Sequence, residues 1–273
     1  MHSRHSAPGA GPADQLLQED RVRKRMSSDT SVCFENVWFG HEEIGCDVLK
    51  GVDFEIPAGQ MVALVGEAGA GKSSCARLLQ RVWDVEAGAV RIGGADVRDL
   101  PAAVLRDMVA FVPQDGGLYH ERTVLDNFRQ ARPGVTFAEI EAAARAAQVH
   151  EIIMRLPQAY ETPYGAGCAQ LTAGERQRIA IARVLAGTAA VVIWHETASR
   201  LNAIDTLALQ VAVSQLRRNR TVLLISHRLS SIRLADNIVV IEQGVVVEEG
   251  THEHLVAWND RYARLIGARS VRD

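Results

Sequence analysis

The residues best suited to chemistry lie in one run, Gly66-Glu67-Ala68-Gly69-Ala70-Gly71-Lys72-Ser73-Ser74, set directly after the apolar segment Met61-Val62-Ala63-Leu64-Val65. The spacing G-x-x-x-x-G-K-S is that of a phosphate-binding loop between a strand and a helix. Gly66, Gly69 and Gly71 let successive backbone N–H groups turn inward around phosphate oxygens. Lys72 brings a point charge to the β and γ groups, and the Ser73 hydroxyl reaches Mg²⁺. A helix opening near Lys72 adds the positive end of its dipole. The pattern points to a bound nucleoside triphosphate.

Such a loop needs elements to hold it, and the surrounding sequence supplies them. Val32 to Phe39 alternates like a half-buried strand, and Val48 to Ile56 reads as its antiparallel companion. After the phosphate-loop helix come strands at Ala89–Ile92 and Met108–Val112. Helical patterns run from Thr123 to Leu156, and a second helical stretch starts near Thr172. Ala189 to Trp194 is a central strand by its length and β-branching. A helix over Ala203–Leu216 leads to a strand over Thr221–Ile225, and Asn237–Ile241 with Val245–Glu248 forms a hairpin around Gln243-Gly244. The expected fold is α/β: a P-loop NTPase core with a mixed or parallel central sheet, an antiparallel β-layer and a helical insert over about residues 115–187. Residues 1–30, with the charged stretch Glu19 to Arg25, read as a flexible tail or linker, and residues 31–273 as one nucleotide-binding domain.

With 273 residues, 47% of them hydrophobic and 23% charged, there is ample material for a core. A net charge of −3 gives no global basic field, so a nucleic-acid partner is not implied. Cys33, Cys46, Cys75 and Cys168 have neither metal-type spacing nor the pairing of a disulfide framework, as in a reducing cytosol. No run approaches the roughly 18 apolar residues that cross a bilayer. If the protein works at the cytoplasmic face of a membrane, the span is expected from transmembrane domains on another chain or a missing segment.

Beyond the phosphate loop, further segments carry a family resemblance from Ser31 to Gly267. Gln114 in Val112-Pro113-Gln114-Asp115, Leu171-Thr172-Ala173-Gly174-Glu175-Arg176-Gln177-Arg178 and His227 in Ile225-Ser226-His227-Arg228 look like a Q-loop, a signature segment and an H-loop. Arg81-Val82-Trp83-Asp84, Thr123 to Asn127, Leu156-Pro157 and Gly250 to Leu255 add an exporter flavour. The chain resembles the nucleotide-binding domain of an exporter-type ABC transporter. That resemblance implies ATP and Mg²⁺ as cofactors and a head-to-tail dimer with a second such domain, like or unlike, that drives separate membrane domains. Each ATP would sit on one chain's phosphate loop and under the other's Thr172, Ala173, Gly174 and Glu175. Gln114 would join Ser73 at the metal, while Glu196, His227 and Gln114 would serve hydrolysis.

Several positions depart from the family pattern. Where the family has Asp before the catalytic Glu, this chain has His195 before Glu196. A hard ion prefers oxygen to imidazole, so Mg²⁺ loses acidic support. A titrating imidazole with a reference pKa of about 6.5 stands there instead. Asn202 replaces the Asp that usually ends the D-loop segment Ser199 to Asn202, which is expected to alter its contacts across the dimer. Glu175 places a carboxylate near the γ-phosphate clamp, opposing binding unless Arg176 or Arg178 pairs with it. Tyr164 to Cys168 lacks the Glu that exporters use for crosstalk, and His41 falls where the family stacks an aromatic residue on adenine. Phe39 belongs to the core. Two functions are open on these residues: an ATPase domain that powers export, slowly or unequally, and an ATP-clamping half whose partner hydrolyses.

Overall fold

The computed structural model describes residues 29–41, 46–165, 171–196 and 201–270, with the side chains of His41, Cys46 and residues 268–270 left aside. Of the expected tail over residues 1–30, residues 1–28 lie outside the described residues, as do the segments 42–45, 166–170, 197–200 and 271–273.

Apolar strands buried on both faces build the centre. β3 (Met61–Val65) and β8 (Thr221–Ile225) are buried at every position, as expected for parallel strands covered on both sides. They belong to a six-stranded sheet of order β10-β9-β3-β8-β7-β6, completed by β6 (Val109–Val112), β7 (Val191–His195), β9 (Asn237–Glu242) and β10 (Val245–Gly250). All neighbours run parallel except β10, which closes a hairpin on β9. Gln243 and Gly244 both take positive φ in its turn, the type I′ geometry that suits strand twist.

The second sheet is antiparallel, with order β2-β1-β4-β5: β1 (Val32–His41), β2 (Cys46–Ile56), β4 (Ala87–Ile92) and β5 (Ala95–Asp96). Alternation along the central strands divides the core between two layers. Val62, Leu64, Ile193, Leu223 and Ile225 pack toward the antiparallel sheet and α1 (Lys72–Leu79). Ala63, Trp194, Val222 and Leu224 face the helical segment. Phe39 is buried and stacks on Trp83 at 5.0 Å between ring centroids, as its place in the alternation requires.

Between β6 and β7 lie α3 (Val124–Ala131), α4 (Phe137–Ala146), α5 (His150–Met154) and α6 (Ala173–Leu185). Thr123, Thr136 and Thr172 each open a helix with a reciprocal capping box. α7 (Ala203–Leu216) packs on α6, and α8 (Leu229–Ile232), α9 (His252–Trp258) and α10 (Arg261–Ser270) follow. Several boundaries shift from expectation: α2 (Ala102–Met108) takes Met108, so β6 starts at Val109, while β4 starts at Ala87 rather than Ala89 and β7 at Val191 rather than Ala189.

Candidate nucleotide-binding site

The phosphate loop leaves the C-terminal end of β3, between β8 and β9. Gly66 has φ 157°, and a Cβ there would lie 2.2 Å from the Ile241 carbonyl oxygen. At Gly71, with φ 105°, it would lie 2.5 Å from Leu49 Cδ2. Both positions therefore demand glycine, for space as well as torsion. Lys72 is only 5% exposed, and its ammonium donates to the Gly66 carbonyl at 3.1 Å and the Glu67 carbonyl at 2.6 Å. Among the described residues no side chain caps the start of α1, which leaves its dipole to an anion. A cleft of about 270 Å³ opens here, lined by Val48, Gly69, Gly71, Lys72, Ser73 and Ser74. Glu67, Ala68 and the Ser73 side chain are exposed, whereas Ala70 packs into the core.

The same sheet edge gathers the other predicted residues. Gln114 follows β6, His195 and Glu196 end β7, and Ser226 and His227 follow β8, with His195 level with Ile225 across the sheet. Gln114 Nε2 lies 2.9 Å from His195 Nε2. An amide nitrogen only donates, so the imidazole accepts at Nε2 and carries its proton on Nδ1. Burial, then the nearby Lys72 charge, holds the His195 pKa below its usual 6.5. The imidazole is thus neutral at pH 7.

Glu196 is 1% exposed and turned inward. Ser226 Oγ donates to Oε2, and Ser231 Oγ donates to Oε1 at 2.7 Å. The Arg228 guanidinium lies 3.6 Å away. Burial raises the Glu196 pKa, opposed by the hydroxyls and by Arg228. These partners went unnoticed in sequence, although the run Ser226 to Ser231 offers hydroxyls on both sides of His227. The oxygens suited to a hard divalent ion here are those of exposed Ser73 and Gln114. Among the described residues no cluster of three His, Cys, Asp or Glu could hold a metal. The donor set fits Mg²⁺ bound mainly through a nucleotide's phosphates, without acidic support from β7.

The signature segment occupies a separate groove of about 620 Å³, whose lining includes Thr172, Glu175, Arg178, Asn202, Ile204 and Asp205. Gly174 is needed because a Cβ would come within 2.9 Å of Asp205 Cβ. Thr172 Oγ1 donates to Asp205 Oδ2 at 3.0 Å and accepts from the Glu175 N–H at 3.1 Å. Glu175 and the two arginines that could offset its charge take separate partners. Glu175 folds back onto the Thr172 N–H at 2.7 Å, while Arg178 pairs with buried Asp205 at 2.7 Å and Arg176 bonds the Leu171 carbonyl. Asn202 caps α7 by accepting from the Asp205 N–H at 2.7 Å, and its amide donates to Asp205 Oδ2 at 3.0 Å. An Asp there would set two carboxylates side by side. The Ser199 and Arg200 part of the D-loop, Ala166 to Cys168 and the His41 side chain lie outside the described residues.

A phosphate loop on β3, a glutamine after β6, an acid after β7 and a histidine after β8 agree with a family comparison. The model of the family described as ABC transporter matches residues 49–199. The chain belongs to the ABC transporter family. It is 43% identical over 253 residues to the mycobactin import ATP-binding/permease protein IrtA of Mycobacterium tuberculosis, covering 92% of this chain and 29% of that protein. Human ATP-binding cassette sub-family B member 6 is 39% identical over 256 residues, covering 94% of this chain and 29% of that protein. The ABC chain thus spans less than a third of these relatives. A bacterial Atm1-family ABC exporter solved with ATP bound superposes with a TM-score of 0.81 at 36% identity, covering 88% of this chain and 42% of that chain. The α/β architecture with its antiparallel layer and helical segment is therefore that of an ABC ATPase. No helix among the described residues is long and apolar enough to cross a membrane.

Proposed function

We propose that this chain is the ATP-binding domain of an exporter-type ABC transporter, clamping ATP more readily than it hydrolyses it at its own phosphate loop. Gly66 to Ser74 would wrap the phosphates, Lys72 would leave the loop carbonyls for the β and γ groups, and His41 would lie against adenine. Mg²⁺, held by Ser73 and Gln114, would neutralise phosphate charge. The observation that carries weak turnover is the neutral His195, bonded to Gln114 at 2.9 Å where the family has a carboxylate. The inward Glu196 points the same way, because general-base action needs hydrogen-bond reach to the water. Steady-state ATPase activity of the chain, alone and as His195→Asp, tests this reading. A clear rise in the variant supports it, and equal rates contradict it.

The separation of the phosphate loop from Thr172-Ala173-Gly174 favours a head-to-tail pair, in which each ATP meets the loop of one chain and the signature segment of the other. Membrane domains, on another segment or chain, would hold this pair at the cytoplasmic face of a membrane. An unlike partner fits the unequal chemistry best. This chain's loop would retain ATP while the partner's turns over beneath Thr172 and Gly174. Glu196→Gln here would then leave most of the assembled transporter's activity in place. Loss as complete as from the matching change in the partner would overturn that division.

A further inference from the structure

We infer that Ser226, Ser231 and Arg228 form a cage that stores the Glu196 carboxylate away from the phosphate loop, and that the Arg228–Thr206 bond ties its release to α7. The inference rests on the reading of the site as an ATP site. Both carboxylate oxygens are occupied, Oε2 by the Ser226 hydroxyl and Oε1 by the Ser231 hydroxyl at 2.7 Å, in a position 1% exposed. The Glu196 N–H is also fixed, donating to the Ile225 carbonyl at 2.9 Å. Reaching the phosphate side therefore requires a side-chain rotation rather than movement of the strand. Ser226 Oγ in turn accepts from the Arg228 N–H at 2.9 Å, which ties the cage to the backbone on either side of His227.

Arg228 is the outward connection. Its Nε faces Glu196 Oε1 at 3.6 Å, its Nη2 donates to Thr206 Oγ1 at 3.1 Å, and its buried Nη1 has no hydrogen-bond partner among the described residues. Thr206 is the neighbour of Asp205, which holds the Thr172 hydroxyl at 3.0 Å. The Thr206 hydroxyl itself donates to the Asn202 carbonyl at 2.9 Å, so it is the backbone of α7 that joins the signature segment, which would meet a partner's ATP, to the acid at this chain's own loop. A rotation of α7 would move the Thr206 hydroxyl to which the guanidinium donates. Ser226, Ser231, Arg228 and Thr206 are positioning residues in this scheme, since they act through Glu196.

The consequence is electrostatic. A stored Glu196 keeps a negative charge off the γ-phosphate, and a released one repels it, so loss of the cage selects against ATP more than ADP. The test is calorimetric titration of the full chain with ATP and with ADP. Ser231→Ala and Thr206→Val should weaken ATP binding several-fold and leave ADP within about two-fold. Ser231→Thr, which keeps the hydroxyl, should behave as the unmodified chain. In a Glu196→Gln background the ATP effect should vanish. A parallel arm needs no nucleotide: Ser231→Ala should lower the melting temperature, and that shift should disappear in Glu196→Ala. Equal losses for ATP and ADP, or effects that persist without the Glu196 carboxylate, would overturn the cage. Failure of the unmodified chain to bind ATP, with the melting cycle intact, would instead overturn the ATP-site reading alone.

Discussion

The end of β3 and the end of β7 stand on one edge of one sheet, yet they are built in opposite senses. At β3 the chain leaves glycines, an uncapped helix start and an ammonium that rests on carbonyls, and all of these are improved by an incoming anion. At β7 the side chains already satisfy one another: His195 with Gln114, and Glu196 with Ser226 and Ser231. On the proposed reading of this site, the difference makes binding and turnover separable. A site can remain ready for phosphate while the groups that would act on it are engaged elsewhere.

The comparison can be broken at several points. The largest effect is expected at the signature groove, where Asp205→Ala leaves Arg178, 3% exposed, without its anion and frees Thr172. Removing one partner of a buried pair costs about 3–5 kcal/mol. Chemical denaturation should show that loss, and a loss below about 1 kcal/mol would mean that the pair contributes little to α6–α7 packing. Next comes Lys72→Ala, which should weaken ATP by roughly ten- to a hundred-fold, equivalent to about 1.5–3 kcal/mol for a charge-assisted contact. Equal affinities by calorimetry would remove the β3 end from the account.

Gly66→Ala should cost about 1–3 kcal/mol in stability, since its methyl would press on the Ile241 carbonyl. An unchanged denaturation midpoint would mean that the loop relaxes at no cost. The smallest effect concerns pH. His195 titrates below 6.5 in the folded chain and near 6.5 when unfolded. As pH falls through 6.5 the unfolded state takes up the proton first, so stability drops across the window between the two values. His195→Asn should flatten that slope in denaturation midpoints taken at successive pH values, though only in part, because His252 is shifted in the same direction. A slope untouched by the substitution would place the pH dependence elsewhere.

Much of this was legible in the residues. Central strands buried on both faces read as continuous apolar runs, and Thr172, Asn202 and Gly71 mark helix starts by local rules, so α6, α7 and α1 fell close to expectation. The short α2 was missed because Pro101 precedes it and no side chain caps it. At the site, the phosphate loop is contiguous in sequence and was readable as such. The inward turn of Glu196 was not, because its partners lie 30 and 35 residues away and meet it only through β7–β8 pairing. The fate of Glu175 was also hidden, since capping box and ion pair use the same residue types.

The central claim is that this chain holds ATP at its own loop with little turnover because His195 stands where a carboxylate is needed. Single-turnover measurement tests it directly: labelled ATP is bound to the chain in Mg²⁺, excess nucleotide is removed, and the bound pool is followed over time in the unmodified chain and in His195→Asp. The account predicts that bound label remains ATP in the first and converts to ADP markedly faster in the second. Conversion at the same rate in both would contradict it.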